Sequence, residues 1–98
     1  MHSKLINNKE YYIVVFNSKN YAIQLFYKLE KKGYSKFQLV STPCQLKGGC
    51  SYSIKFNNIS DINYLEKESS DFIGSINNIY HVERKEGKKH YKVVKYPF

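Results

Sequence analysis

The amino-acid sequence predicts an α+β fold in which one antiparallel sheet carries two helices. Three observations support this prediction. Short apolar runs with the composition of β-strands recur along the chain. Two segments between them repeat apolar residues at the spacing of one helix face, and turn residues separate the segments. The resulting order is β-α-β-β-α-β with one more strand, which is typical of a ferredoxin-like plait extended by a C-terminal strand that forms a hairpin.

Length and composition limit the protein to one domain. Residues 1–98 can build a single core, and residues 1–9 are expected to be a loosely ordered N-terminal segment. No apolar run approaches the roughly 18 residues that span a membrane, and the first residues lack the apolar segment of a secretory signal. The sequence therefore predicts a cytoplasmic protein without a membrane partner. In that compartment its two cysteines are expected to be free thiols.

The first predicted strand and helix follow that segment directly. Residues 11–16 are continuously apolar and rich in β-formers, which predicts a central strand with two apolar faces. Something must cover the second face, and a partner subunit is a natural candidate, so a homodimer is expected. Asn17 or Ser18 can cap the next helix, and Gly33 can end it. The apolar face of this helix consists of Ala22, Leu25, Phe26 and Leu29.

A loop with both cysteines connects the second and third predicted strands. Residues 37–42 form the second strand, which should stop at Pro43 because proline fixes its own φ and restricts the residue before it. Gly48 and Gly49 permit the turn into the next strand. Alternate residues are apolar over 50–56, with Ser51, Ser53 and Lys55 on the other face. This pattern predicts a half-buried strand that opens on a cysteine.

A second helix and two strands complete the predicted fold. Ser60 or Asp61 can cap the helix. Residues 79–84 and 90–96 have the composition of strands, joined by a turn in which Gly87 is the turn residue. The apolar face of the helix consists of Ile62, Leu65, Phe72 and Ile73, and Gly74 ends it.

The handedness of such a plait places the cysteine loop. Because the first crossover is right-handed, strands one and two run parallel and strand three lies antiparallel between them. The loop of residues 43–49 then lies beside the end of strand one, where the first helix begins. The amides after Ser18 would lie close to Cys44 and Cys50, and the positive end of the helix dipole favours a thiolate. The residues expected to support the loop are Ser18, Pro43, Gly48 and Gly49.

These residues resemble a family of small bacterial domains described as selenium/sulfur carrier-like proteins. The resemblance covers residues 11–60 and rests on Phe16, Ser18, Ala22, Thr42, Pro43, Leu46, Gly49 and Cys50. In that family T-P-R is followed several residues later by C-G, whereas here Cys44 stands at the basic position and Ser51 replaces the glycine. The resemblance implies that Cys50 carries sulfur or selenium received from a donor protein. Cys44 would add a resolving thiol.

Each cysteine also has a simpler interpretation. Cys50 lies on the same face of the predicted strand as its apolar residues, which is equally typical of a small buried side chain. Cys44 could be a surface cysteine without a function. The C-x5-C spacing is not that of a zinc ribbon, and His81 and His90 have no motif spacing to it. No metal and no cofactor are therefore predicted. The sequence also lacks paired carboxylates and a Ser-His-Asp set, which favours a carrier or binding module over an enzyme.

The formal charge of +8 favours anionic partners. Its densest patch consists of Arg84, Lys85, Lys88, Lys89, Lys92 and Lys95. A basic domain with this strand order could bind RNA in the way of an RNA recognition motif, but the base-stacking positions of that motif fall on Ser51 and Ser53. Binding to nucleic acid is therefore expected to be weak and non-specific. A further alternative is a homodimeric interaction or regulatory module in which Cys50 is unreactive.

Overall fold

A computed structural model of the protein describes residues 10–47, 52–68 and 76–95. This part of the chain is α+β, with a five-stranded antiparallel sheet and three helices. The strands are β1 Tyr11–Phe16, β2 Gln38–Ser41, β3 Tyr52–Phe56, β4 Ile76–Lys85 and β5 Lys88–Val94. The helices are α1 Lys19–Lys31, α2 Cys44–Lys47 and α3 Ile62–Glu68. Within the described ranges no helix is long and apolar enough to cross a bilayer.

The strands follow one another across the sheet in the order β2-β3-β1-β4-β5. Ile54 of β3 lies opposite Val14 of β1 on one side and opposite Leu39 of β2 on the other, and both pairings are antiparallel. Strand β3 therefore lies between β1 and β2, which run parallel to each other. This confirms the predicted position of the third strand. Strand β4 pairs with the other side of β1, and β5 lies at the edge.

The two longer helices pack on the same face of the sheet, which we call the inner face. Val14 and Phe16 of β1 and Ile54 of β3 have no exposed surface beneath them. The helices contribute Ala22, Leu25, Leu29, Ile62 and Leu65 to this core. Since full burial of a large apolar side chain stabilises the folded state by roughly 1.5–3 kcal/mol, this cluster is the main source of stability.

Helix α1 begins and ends where the sequence predicts. The side chain of Ser18 caps it by accepting a hydrogen bond from an amide of the first turn, at 3.2 Å. At the other end Gly33 has a φ of +85°, and its amide donates to the carbonyl of Glu30 at 3.0 Å. The amide of Tyr34 donates to the carbonyl of Leu29, also at 3.0 Å. These two bonds form a Schellman motif, which requires the left-handed residue that glycine supplies.

The start of α3 differs from the prediction. Asn58, rather than Ser60 or Asp61, is the cap: its side-chain oxygen accepts a hydrogen bond from the amide of Ser60 at 3.1 Å, and a 3-10 turn over Ile59–Asp61 leads into the helix. Asp61 is instead buried, and its carboxylate lies 3.8 Å from the ammonium of Lys36. The predicted residues near the far end of this helix lie outside the described ranges: Phe72, Ile73 and Gly74.

A buried carboxylate joins α3 to α1. Glu68 is only 3% exposed, and its carboxylate lies 3.3 Å from the ammonium of Lys32. The ammonium of Lys28 donates to the backbone carbonyl of Glu68 at 3.0 Å. Because an unpaired buried carboxylate is strongly unfavourable, these contacts hold the end of α3 beside the last turns of α1.

The opposite face, which we call the outer face, is also buried around β1. Ile13, Val15 and Val82 are 2%, 1% and 0% exposed in a single chain. The partly buried side chains packed against them are Tyr11, Leu46, Tyr80 and Tyr91. The chain thus covers both faces of β1 itself. This burial removes the reason for predicting a partner subunit on the outer face, and the homodimer stays a prediction without that support.

A two-residue turn joins β4 and β5. Lys85 lies opposite Lys88, and between them Glu86 and Gly87 have φ values of 53° and 78°. Two consecutive positive φ angles are what a type I′ hairpin requires. The predicted hairpin is confirmed, and β4 begins at residue 76 rather than 79.

The turn gives a prediction about stability. Gly87→Ala should lower the free energy of unfolding by about 1–2 kcal/mol, because alanine resists positive φ. A Cβ at this position would meet no atom within 4 Å, so the change reports on the backbone alone. Glu86→Asn should leave stability unchanged or raise it, since asparagine enters the left-handed region more readily than glutamate. Urea denaturation of both variants measures these effects.

Glu86→Gln is the control for the charge lost in Glu86→Asn. If Gly87→Ala and the wild-type protein unfolded at the same urea concentration, the turn would not have the described geometry.

Candidate functional site

The connection between β2 and β3 carries both cysteines, and its first half is a single helical turn rather than the predicted loop. The carbonyl of Pro43 accepts a hydrogen bond from the amide of Leu46 at 2.9 Å. Proline suits this position because its fixed φ matches the start of a helix. Cys44 is the first residue of α2, with an exposed side chain and a free thiol. The remaining predicted site residues lie outside the described ranges: Gly48, Gly49 and Cys50.

Helix α2 lies at the end of the sheet where β1 also ends, and no described contact joins it to the start of α1. Leu46 packs against the outer-face cluster that contains Ile13 and Val15, whereas α1 packs on the inner face. The sheet therefore lies between α1 and the side chain that anchors α2. The physical reason is burial: the outer side of β1 needs apolar cover, and Leu46 is the apolar residue of the turn. Ser18 caps α1, and its hydroxyl oxygen accepts a hydrogen bond from an amide of that helix.

Two buried hydroxyl groups fix the connection to β3. Thr42 is 5% exposed and Ser53 has no exposed surface, and their side-chain oxygens are hydrogen-bonded to each other. The sequence places Ser53 on the face opposite the apolar residues of β3, and the covered outer face buries it. Tyr52, predicted among the buried residues, is instead 39% exposed. Alternation alone could not reveal the hydroxyl pair, because it does not show that both faces are covered.

The burial of Ser53 also bears on RNA binding. An RNA recognition motif stacks bases on exposed aromatic side chains of its third strand. One of the two corresponding positions here is a small hydroxyl with no exposed surface, and the other, Ser51, lies outside the described ranges. The described part of β3 therefore offers no stacking platform at that position.

Cys44 offers an exposed thiol at the start of a short helical turn. Sulfur exchange requires the attacking thiolate to approach the sulfur it attacks without obstruction, so access decides the rate together with the fraction of thiolate. Cys44 satisfies the requirement for access. Leu46 packs the turn against the outer-face cluster. The thiol of Cys44 is thus accessible to other molecules.

The basic patch of the hairpin is divided between the two faces of the sheet. Directly paired residues of neighbouring strands point to the same face, and consecutive residues point to opposite faces. Arg84 and Lys89 are one such pair on the outer face, and Lys85 and Lys88 are the next pair, on the inner face. The patch predicted from the sequence is therefore two smaller cationic surfaces.

A mixed cluster of Glu10, His81 and Glu83 lies on the inner face beside Tyr12. One potential ligand atom from each residue lies within 4.8 Å of the others, and carboxylates with imidazole suit several divalent cations. In the structure Nε2 of His81 lies 3.2 Å from Oε1 of Glu10, and Glu83 lies 3.5 Å from the ammonium of Lys85. These contacts account for the cluster without an ion. Motif spacing could not find it, because pairing of β1 with β4 brings the residues together.

Two surface depressions are larger than the others described. One, of about 860 Å³, follows α1 and the segment after it, where Tyr27, Tyr34 and Phe37 line it. Another, of about 590 Å³, lies where β1 begins. Neither includes Cys44 among its lining residues. The described thiol, that of Cys44, is exposed at the surface.

Comparison with known proteins identifies one family. The profile of a family described as "Putative Se/S carrier protein-like" matches residues 11–81. The matched segment extends from the start of β1 into β4 and contains the connection with both cysteines. No curated protein and no solved structure gives a match.

The hydroxyl pair gives a second prediction about stability. Ser53→Ala removes the hydrogen bond between Thr42 and Ser53 from a buried site, which should destabilise the protein by about 1–3 kcal/mol. Ser35→Ala is the matched control, because Ser35 is exposed and should unfold within about 0.5 kcal/mol of the wild-type protein. Urea denaturation compares the two variants. Equal stability of both would show that the pair contributes nothing to anchoring the connection.

Proposed function

The chain belongs to the selenium/sulfur carrier-like family, and from that premise we propose that it carries a sulfur or selenium atom on a cysteine thiol. The observation that supports this most directly is that the family match includes the connection between β2 and β3, where both thiols of the chain lie. An exposed thiol on α2 supports it further, since a carrier must meet its donor and acceptor. The protein transfers an atom between partners and is not itself a catalyst.

We assign the carrier thiol to Cys50 and the resolving thiol to Cys44. Cys50 matches the cysteine of the family motif, and Cys44 stands where that family has a basic residue. The strand residues on either side of the connection, Ser41 and Tyr52, are directly paired, so the connection leaves and re-enters the sheet at one end.

Loading of sulfur is a transfer between thiols. The thiolate of Cys50 attacks the terminal sulfur of a donor persulfide, R–S–SH. A new S–S bond forms between Cys50 and that sulfur while the donor S–S bond breaks, and the donor leaves as the thiolate R–S⁻. The transferred sulfur keeps its proton, so Cys50 becomes a persulfide and no external oxidant or reductant is required. A donor that carries R–S–SeH would load selenium in the same way.

Release can use the second thiol. The thiolate of Cys44 attacks Sγ of Cys50, which forms a disulfide between the two residues and expels hydrosulfide, HS⁻. The transferred sulfur is thereby reduced and the two cysteine thiols are oxidised. A dithiol reductant then restores both thiols by exchange. The proposed partners are thus a donor protein and a thiol reductant, both of which the reducing cytoplasm supplies.

We infer that the scaffold of this carrier is a ferredoxin-like plait with β5 added at the β4 edge. Two observations support this. Strand β1 is central, with β3 and β4 antiparallel on its two sides and β2 beyond β3. Both longer helices lie on one face. The additional strand pairs with β4 through the type I′ hairpin.

The carrier function predicts a defined adduct. Incubation with glutathione persulfide should add one sulfur atom to the wild-type protein and to Cys44→Ser, and none to Cys50→Ser. Intact-mass measurement detects the adduct, and dithiothreitol should remove it. In the wild-type protein a disulfide and free hydrosulfide should follow, whereas in Cys44→Ser the persulfide should persist.

The rate of alkylation against pH is the companion measurement on the two single-cysteine variants. Faster alkylation of Cys50 than of Cys44 at neutral pH supports the assignment of the carrier. If Cys50 takes up no sulfur and its alkylation matches that of an unperturbed thiol, the chain is an interaction module and the carrier function is wrong.

A further inference from the structure

An open cleft of about 590 Å³ lies on the outer face where β1 begins. Its floor includes Val82, which has no exposed surface, and Tyr11, which lies opposite Val82 in the sheet. The remaining lining residues are Glu10, Lys55, Asn57, Arg84 and Lys89. Three cations from three different strands thus line one depression, at the end of β1 opposite to the cysteine connection.

The cations of this cleft lack acidic partners among the described residues. Arg84 and Lys89 lie directly opposite each other on antiparallel strands, where like charges destabilise a sheet. The ammonium of Lys55 lies 4.5 Å from the centroid of the Tyr11 ring, which holds the charge at the cleft without neutralising it. The one carboxylate at the cleft, that of Glu10, lies 3.2 Å from Nε2 of His81.

The neighbouring pair on the inner face shows the difference. Lys85 and Lys88 are also directly opposed, but the ammonium of Lys85 lies 3.5 Å from the carboxylate of Glu83. The inner-face pair therefore has a compensating anion within the protein. The outer-face pair has none in the described ranges, although both pairs are in the same hairpin.

We propose that the cleft binds the phosphate group of a small molecule. A phosphate neutralises more than one cation at once, and a guanidinium can hold two of its oxygens in parallel hydrogen bonds. Arg84 supplies that guanidinium, Lys89 and Lys55 supply point charges, and the Asn57 amide can donate a further hydrogen bond. The binding of phosphate removes the repulsion across β4 and β5.

The volume of the cleft sets the size of the ligand. Pockets for small organic molecules typically enclose about 300–1,000 Å³, and the cleft lies within that range. Tyr11, which is only partly buried, contributes an aromatic ring to its lining. This combination fits a phosphate ester or a diphosphate with a small organic part better than the free ion alone. The proposal involves neither thiol, so the result of its test does not depend on the carrier function.

Binding of pyrophosphate, inorganic phosphate and adenosine monophosphate by isothermal titration calorimetry at low salt tests the proposal. Lys89→Gln and Arg84→Gln should each weaken binding of pyrophosphate about tenfold or more, because each removes a charge-assisted contact. Lys88→Gln is the matched control: it makes the same change of charge one residue away, on the opposite face, and should weaken binding by no more than about twofold. Amide NMR shifts of the wild-type protein should change most at Tyr11, Lys55 and Asn57.

Three results would overturn the proposal. The first is no binding of any of the three probes by the wild-type protein. The second is equal weakening by Lys88→Gln and Lys89→Gln, which would assign binding to the general positive field. The third is that a single-stranded oligonucleotide binds more tightly than the three probes, and that Lys88→Gln and Lys89→Gln weaken its binding equally. The hairpin would then be a non-specific nucleic-acid surface.

Discussion

The six consecutive side chains of β1 are wholly or partly buried, and they lie on both faces of the sheet. Their burial ranges from partial at Tyr11 and Tyr12 to complete at Phe16, and successive residues alternate between the faces. A two-layer fold covers only one face of a sheet, so the other face needs its own cover. On the inner face α1 and α3 supply it, and on the outer face Leu46 and the tyrosines of β1, β4 and β5 do. This requirement brings α2, and Cys44 with it, onto the body of the protein.

The same requirement separates two kinds of surface on the hairpin. Where β4 pairs with β1, it buries Ile79 on the inner face and Val82 on the outer face. Beyond the start of β1 the hairpin has no strand to cover, and its side chains are charged. Arg84 and Lys89 then line a depression together with Tyr11, whereas Lys85 lies on the other face near an acidic side chain. One strand pairing thus produces both the core and a cationic cleft.

The sequence predicts those parts of the fold in which local and tertiary preferences agree. The limits of β1 and the caps of α1 were predicted correctly because a continuous apolar run, Ser18 and Gly33 each act within a few residues. Helix α2 was missed because one turn is too short to show periodicity. The burial of Ser53 was missed because it depends on what covers the outer face. The cluster around His81 depends on the register of two distant strands, which spacing along the chain does not contain.

The two faces of the sheet are covered unequally. Two helices cover the inner face, and the ion pair between Glu68 and Lys32 joins them. In the described part of the chain, α2 contributes only Leu46 to the outer cluster, and the Thr42–Ser53 hydroxyl pair fixes the end of the connection. Displacing a segment with few packing contacts costs less free energy than displacing a packed helix. The thiol of Cys44 therefore lies on the less firmly anchored side of the described fold, whereas the inner core is held by two packed helices.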